Sequence, residues 1–71
     1  MVTVYSKPNC VQCTQTKKYL DKKGINYTTI DITEDAEAYD LIIEKGFKAV
    51  PVVNAGSEWW AGFQPDRLDS I

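Results

Sequence analysis

The chain has 71 residues, 44% hydrophobic and 25% charged, with a formal net charge of −2, 2 cysteines and no histidine. This is ordinary globular composition with room for one core, so a single domain over residues 1–71 is expected. The missing histidine excludes Ser-His-Asp and Cys-His catalysis, histidine-ligated metals and a histidine pH switch, and the acidic balance argues against nucleic acid as a partner.

Val2 to Ser6 alternates valines with Thr3 and Tyr5, the two-residue period of a short first strand. Lys7-Pro8-Asn9 breaks it, because the Pro8 ring disfavours helix at Lys7. Asn9, with Gln12 three residues on, has the form of a capping box and predicts a helix to about Lys23, stopped by Gly24. Lys17, Lys18, Lys22 and Lys23 fall on it as a mostly solvated face. Asn26 to Ile32, rich in β-branched and aromatic residues, predicts the second strand.

Thr33 is placed to cap the next helix, Thr33 to Lys45, with Glu34, Asp35 and Glu37 in its first turn, where the helix dipole favours acids. Ala38, Tyr39, Leu41, Ile42 and Ile43 supply its buried side, and Gly46 stands where the chain leaves the helix. Val50 to Val53 predicts a third strand with Pro51 near its start. Asn54-Ala55-Gly56 then turns into a fourth strand, Ser57 to Ala61, closing a hairpin. Pro65 suits the first turn of a short last helix over Gln64 to Leu68.

The order βαβαββα belongs to the α/β class. Strands alternating with helices require a parallel crossover, and the hairpin adds an antiparallel pair, so a mixed four-stranded sheet flanked by helices is expected. No stretch approaches the ~18 apolar residues of a membrane span, and Met1 to Pro8 lacks the pattern of a signal peptide. The expectation is a cytoplasmic protein with no membrane partner. No self-association stripe is evident, which predicts a monomer. In a reducing compartment a close cysteine pair is catalytic or metal-binding rather than structural.

Cys10-Val11-Gln12-Cys13 lies at the mouth of the first helix. Residues three apart share a helical face, so the two sulfurs can reach bonding distance. With Asn9 as the cap, Cys10 becomes the first helical residue, and its sulfur faces unsatisfied N–H groups and the positive end of the dipole. Those groups stabilise a thiolate, as would a nearby cation, for which Lys7 is the candidate; thioredoxin-like pairs lower the first thiol to a pKa of about 7 in this way. Cys10 is then the attacking thiolate, and Cys13 the resolving thiol that closes an intramolecular disulfide.

A purely structural bridge would contribute only about 2 kcal/mol over so short a loop. Zinc would need four ligands where the chain offers two thiols, so no metal site is expected. Soft thiolates also select Cu(I), and a copper carrier is the alternative from a different class. Such carriers run βαββαβ and have no reason for Pro51.

The CxxC at the first helix, the Val50-Pro51 step and the block Trp60-Ala61-Gly62-Phe63-Gln64-Pro65-Asp66 together resemble the NrdH-redoxins, a glutaredoxin-sized branch of the thioredoxin superfamily. The resemblance covers nearly the whole chain, and Cys-Val-Gln-Cys is the family's usual active-site tetrapeptide. It implies a thioredoxin fold and a dithiol–disulfide oxidoreductase with no cofactor of its own. It further implies reduction by thioredoxin reductase and electron delivery to class Ib ribonucleotide reductase. By position it makes Cys10 the nucleophile, Cys13 the resolving cysteine and Pro51 a cis-proline beside the disulfide. The Val50 backbone would offer ladder-type hydrogen bonds to a substrate segment. Trp60, Ala61, Gly62, Phe63 and Gln64 form the expected partner-docking surface.

The chain departs from the family block in carrying Ala61 and Gln64 in place of its serine and arginine. A loop network built on that hydroxyl and guanidinium cannot form in the same way, although Gln64 still donates and accepts without charge. Glutaredoxins proper commonly hold glutathione with Thr-Val-Pro and a Gly-Gly step. Here Ala49-Val50-Pro51 and Gly62-Phe63 remove a hydroxyl and add a ring. Glutathione is disfavoured on that ground, and a glutathione-dependent glutaredoxin is the nearer alternative, with Lys7 and Asp66 able to meet the tripeptide's charged ends. Trp59 and Trp60 are strand neighbours and point to opposite faces, one into the core and the other outward, where an aromatic suits docking. Phe63 suits the core better than a contact.

Overall fold

Apolar side chains alternate along the strands, so the sheet has two greasy faces and a helical layer covers each. The computed structural model describes all 71 residues. Its elements are β1 (Val2–Ser6), α1 (Val11–Lys22), β2 (Tyr27–Asp31), α2 (Ala36–Glu44), β3 (Val52–Ala55), β4 (Glu58–Ala61) and α3 (Pro65–Asp69). The strands lie in the order β2-β1-β3-β4. β1 and β2 are parallel, and the other two neighbouring pairs are antiparallel. The mixed sheet and the element order are those expected from the sequence.

On one face Val2, Val4, Val53 and Trp60 pack with Leu20 of α1 and Leu68 of α3. On the other, Tyr5 and Val52 pack with Ala38 and Ile42 of α2. Both long helices end alike. Gly24 and Gly46 take positive φ, +72° and +92°, and the next residue's N–H reaches back to Leu20 and Ile42 respectively. This satisfies carbonyls that the helix end would leave bare. Ile25 and Phe47, which supply those N–H groups, pack on the same clusters as the residues they bond.

The helix starts differ from expectation. Asn9 turns to φ +59°, so the cap of α1 passes to Cys10, which stands just outside the helix. Thr33 does not cap α2: both its N–H and its hydroxyl donate to Asp31 Oδ1, at 2.8 and 2.6 Å. Asp35, a stronger cap than threonine, takes the Ala38 N–H at 3.0 Å instead. The third strand begins after Pro51, which has no N–H to give a ladder, and the hairpin turns at Gly56-Ser57 rather than at Asn54 and Ala55. α2 buries only Ala38 and Ile42; Tyr39, Leu41 and Ile43 lie exposed, because one layer against a small sheet needs only a narrow stripe.

Trp60 corrects the docking expectation. It is 4% exposed, within the α1–α3 layer, facing the same side as its cross-strand partner Val53. Trp59 is the half-buried one, stacked on Tyr5 at 5.9 Å with Lys45 Nζ 4.4 Å over its ring. Phe63 packs against the core layer and meets Tyr19 edge-on at 5.9 Å.

One polar latch joins the far ends of α1 and α3. The Tyr19 phenol donates to Asp69 Oδ1 at 2.5 Å, and the Lys23 ammonium donates to the same oxygen at 3.1 Å. The phenol's hydrogen bond, with Lys23 second, holds the Asp69 carboxyl below its ordinary 3.8, and the same bond raises Tyr19 above 10.0. A depressed carboxyl stabilises the fold above its unfolded pKa, and that contribution is lost as pH falls through the folded value. A raised phenol stabilises below its unfolded pKa and is lost as pH rises through the folded one. The latch therefore holds across neutrality and opens at both extremes. In thermal melts taken down through pH 3.8, the wild type should lose more stability than Asp69→Asn. Parallel curves would show that the latch carries none of the acid sensitivity.

Candidate redox site

β1 delivers the chain to one end of the sheet, and Lys7-Pro8-Asn9 turns it into α1. Cys10 is extended, at φ −107° and ψ 108°, and its sulfur accepts the Cys13 N–H at 3.1 Å. The two cysteines are disulfide-bonded, with Cα atoms 5.2 Å apart. Cys13 is 1% exposed, while Cys10 is half-buried and reachable. In the first turns of α1, Thr14 Oγ1 donates to the Cys10 carbonyl at 3.2 Å, and Thr16 Oγ1 to that of Gln12 at 2.9 Å.

Val50 and Pro51 form the facing wall. Their peptide bond is cis, Pro51 is buried, and the Val50 carbonyl oxygen lies 3.8 Å from Cys10 Sγ. A disulfide sulfur has no proton to give, but the thiol formed on reduction can donate to that carbonyl. The loop after β4 closes the third side. Gly62 N–H donates to the Pro51 carbonyl at 2.8 Å, and Phe63 N–H donates to Gln12 Oε1 at 3.1 Å. Gly62 sits at φ +84°, a left-handed conformation that favours glycine, and lies beside Gln12 Oε1. Gln64 Nε2 donates to the Ala61 carbonyl at 2.7 Å, a local brace formed without the serine hydroxyl and arginine of the family block.

Cys10, Cys13, Val50, Pro51, Gly62 and Phe63 are thus brought together, with Ala61 and Gln64 alongside and half-buried; Trp60 is not part of the surface. Lys7 is exposed and belongs to neither ion pair of the molecule. It stands on the rim of a groove of about 320 Å³, beside Val50 and Lys48, whose apolar floor includes Ile32, Tyr39 and Ile43. Tyr39 and Ile43, expected in the core of α2, therefore face this groove. Val11, next to Cys10, is 73% exposed. Gln12 was legible only as half of a capping box. Its actual partner lies 51 residues away, and no local pattern encodes that contact.

A family model for glutaredoxins matches residues 2–60. The glutaredoxin-like protein NrdH of Lactococcus lactis subsp. cremoris is 44% identical over 71 residues, covering 100% of this chain and 99% of that protein. The NrdH of Salmonella typhimurium is 34% identical over 70 residues, covering 99% of this chain and 86% of the relative. A solved structure of NrdH-redoxin from Escherichia coli, a glutaredoxin-like protein described as having a thioredoxin-like activity profile, superposes with a TM-score of 0.97 at 34% identity. The match covers 99% of this chain and 92% of that one. The mixed sheet with its three helices is accordingly a thioredoxin fold. No helix is long and apolar enough to cross a membrane.

Proposed function

The chain belongs to the glutaredoxin family, in its NrdH branch, and is a thiol–disulfide oxidoreductase; we propose that it is a cytoplasmic electron carrier in which Cys10 attacks and Cys13 resolves. In the reduced protein the Cys10 thiolate attacks one sulfur of a client disulfide, forming a mixed disulfide and expelling the client's other sulfur as a thiolate. Cys13 then attacks Cys10 Sγ, the client leaves as a dithiol, and the Cys10–Cys13 disulfide forms. Two electrons pass to the client, with two protons from the carrier and solvent. The observation that carries this reading is the asymmetry of the pair: a reachable Cys10 at the start of α1, bonded to a buried Cys13. The Cys13 N–H at 3.1 Å, the start of α1 and, in the reduced thiol, the nearby Val50 carbonyl set the charge and aim of Cys10.

The upstream donor in this reading is thioredoxin reductase, which holds the flavin and takes electrons from NADPH; the downstream client is class Ib ribonucleotide reductase. Ala49 in place of a hydroxyl-bearing residue, and the Phe63 backbone engaged by Gln12, support a thioredoxin-like rather than a glutathione-dependent cycle. The thioredoxin-like profile described for the E. coli relative points the same way. NADPH with thioredoxin reductase should reduce the oxidised protein at least several-fold faster than millimolar glutathione, followed by NADPH consumption and by thiol titration. Faster reduction by glutathione would overturn the choice of donor.

A further inference from the structure

Gln12 stands between the two cysteines with an exposed side chain, yet that side chain is fixed from across the molecule. The group it meets, Phe63 N–H, is a donor, so the amide has to present its oxygen there. The NH₂ arm is then turned away from the loop, and it makes no hydrogen bond within the protein. The amide also closes a ring around the disulfide: Cys10 Sγ against the Val50 carbonyl, the Pro51 carbonyl bonded to Gly62 N–H, and Phe63 N–H bonded to Gln12. The Val50 backbone takes part in none of the backbone–backbone loop or cap hydrogen bonds. In this ring Cys10 is flanked on one side by Gln12, whose NH₂ has no partner, and on the other by Val50, whose carbonyl faces Cys10 Sγ and whose N–H makes no loop or cap bond. An extended polypeptide offers carbonyls and N–H groups to both.

We propose that Gln12 is a client-recognition residue, its NH₂ group oriented by Phe63 and donating to a backbone carbonyl of the polypeptide segment whose disulfide Cys10 attacks. This rests on the redox reading of the pair above and adds a binding role to a residue between the cysteines. It also defines the class of client that gains from the contact: a peptide-bonded disulfide, as opposed to a small one with no carbonyl at that place.

Two variants separate the amide's two arms. Gln12→Glu keeps an acceptor for Phe63 N–H at the same reach and removes the donor, and Gln12→Ala removes both. Each is assayed with thioredoxin reductase and NADPH on insulin and on hydroxyethyl disulfide, a neutral small disulfide without peptide groups. For Gln12→Glu the KM for insulin should rise about two- to tenfold, the worth of one neutral hydrogen bond, with kcat held and hydroxyethyl disulfide reduced at the wild-type rate. Gln12→Ala should show at least the same loss on insulin. Wild-type kinetics of Gln12→Glu on insulin would overturn the proposal and leave the amide as a loop brace only. An equal loss on both substrates would overturn it too, by placing the effect on the thiol. A wild type inactive on both disulfides would instead refute the redox reading, and the proposal with it.

Discussion

Cys10→Ser should abolish disulfide reduction, whereas Cys13→Ser should retain the first attack and accumulate a covalent complex with the client. That is the outcome expected of a pair in which only one sulfur can be reached. Cys13, at 1% exposure, is closed to an incoming client, while its bonded partner Cys10 is half-buried. A serine at position 10 has no thiolate to offer at neutral pH, so the rate should fall to background. A serine at position 13 leaves the mixed disulfide unresolved. Non-reducing electrophoresis and mass spectrometry would show a one-to-one adduct that dithiothreitol releases. Full turnover by Cys10→Ser, or adducts formed by Cys10→Ser rather than by Cys13→Ser, would reverse or end the assignment.

The second large effect is on stability. Leu20 has no exposed surface and fills the middle of the layer between Val2, Val4, Val53, Trp60 and Leu68. Leu20→Ala removes buried methyl groups and leaves a hole, a change that costs about 2–5 kcal/mol in comparable sites. A domain of this length has on the order of 4–11 kcal/mol in total. The variant should therefore lose a large part of its stability, with a fall in Tm of at least about 8 °C. Denaturant titration checks the value, with Ile43→Ala as a control. Ile43 is 46% exposed, so its truncation should stay within about 0.5 kcal/mol. A loss below 1 kcal/mol at Leu20 would mean that the layer closes over the gap.

The sequence made the redox pair and the architecture legible because both rest on short-range rules. The spacing of Cys10 and Cys13 is a helical spacing, the strands carry a two-residue period, and Gly24 and Gly46 stand where helices must end. What stayed hidden was decided by competition or by distance. Asn9 and Thr33 are good caps by type, but Asn9 was needed for a left-handed turn, and Asp31 captured both donors of Thr33. Alternation dictated that Trp59 and Trp60 face apart. Which of them faces α1 and α3 follows from Trp60 pairing with Val53, and that register exists only once the hairpin has formed. The Gln12–Phe63 contact joins residues 51 apart and needs the assembled sheet.

Cys10 serves as the cap of α1 through the very sulfur proposed to carry electrons. Oxygen-bearing side chains make firmer caps, so evolution could strengthen the start of this helix with one substitution and would silence the reaction by doing so. Stability and chemistry compete for a single atom. A protein this small has few other places to recover what that atom gives up.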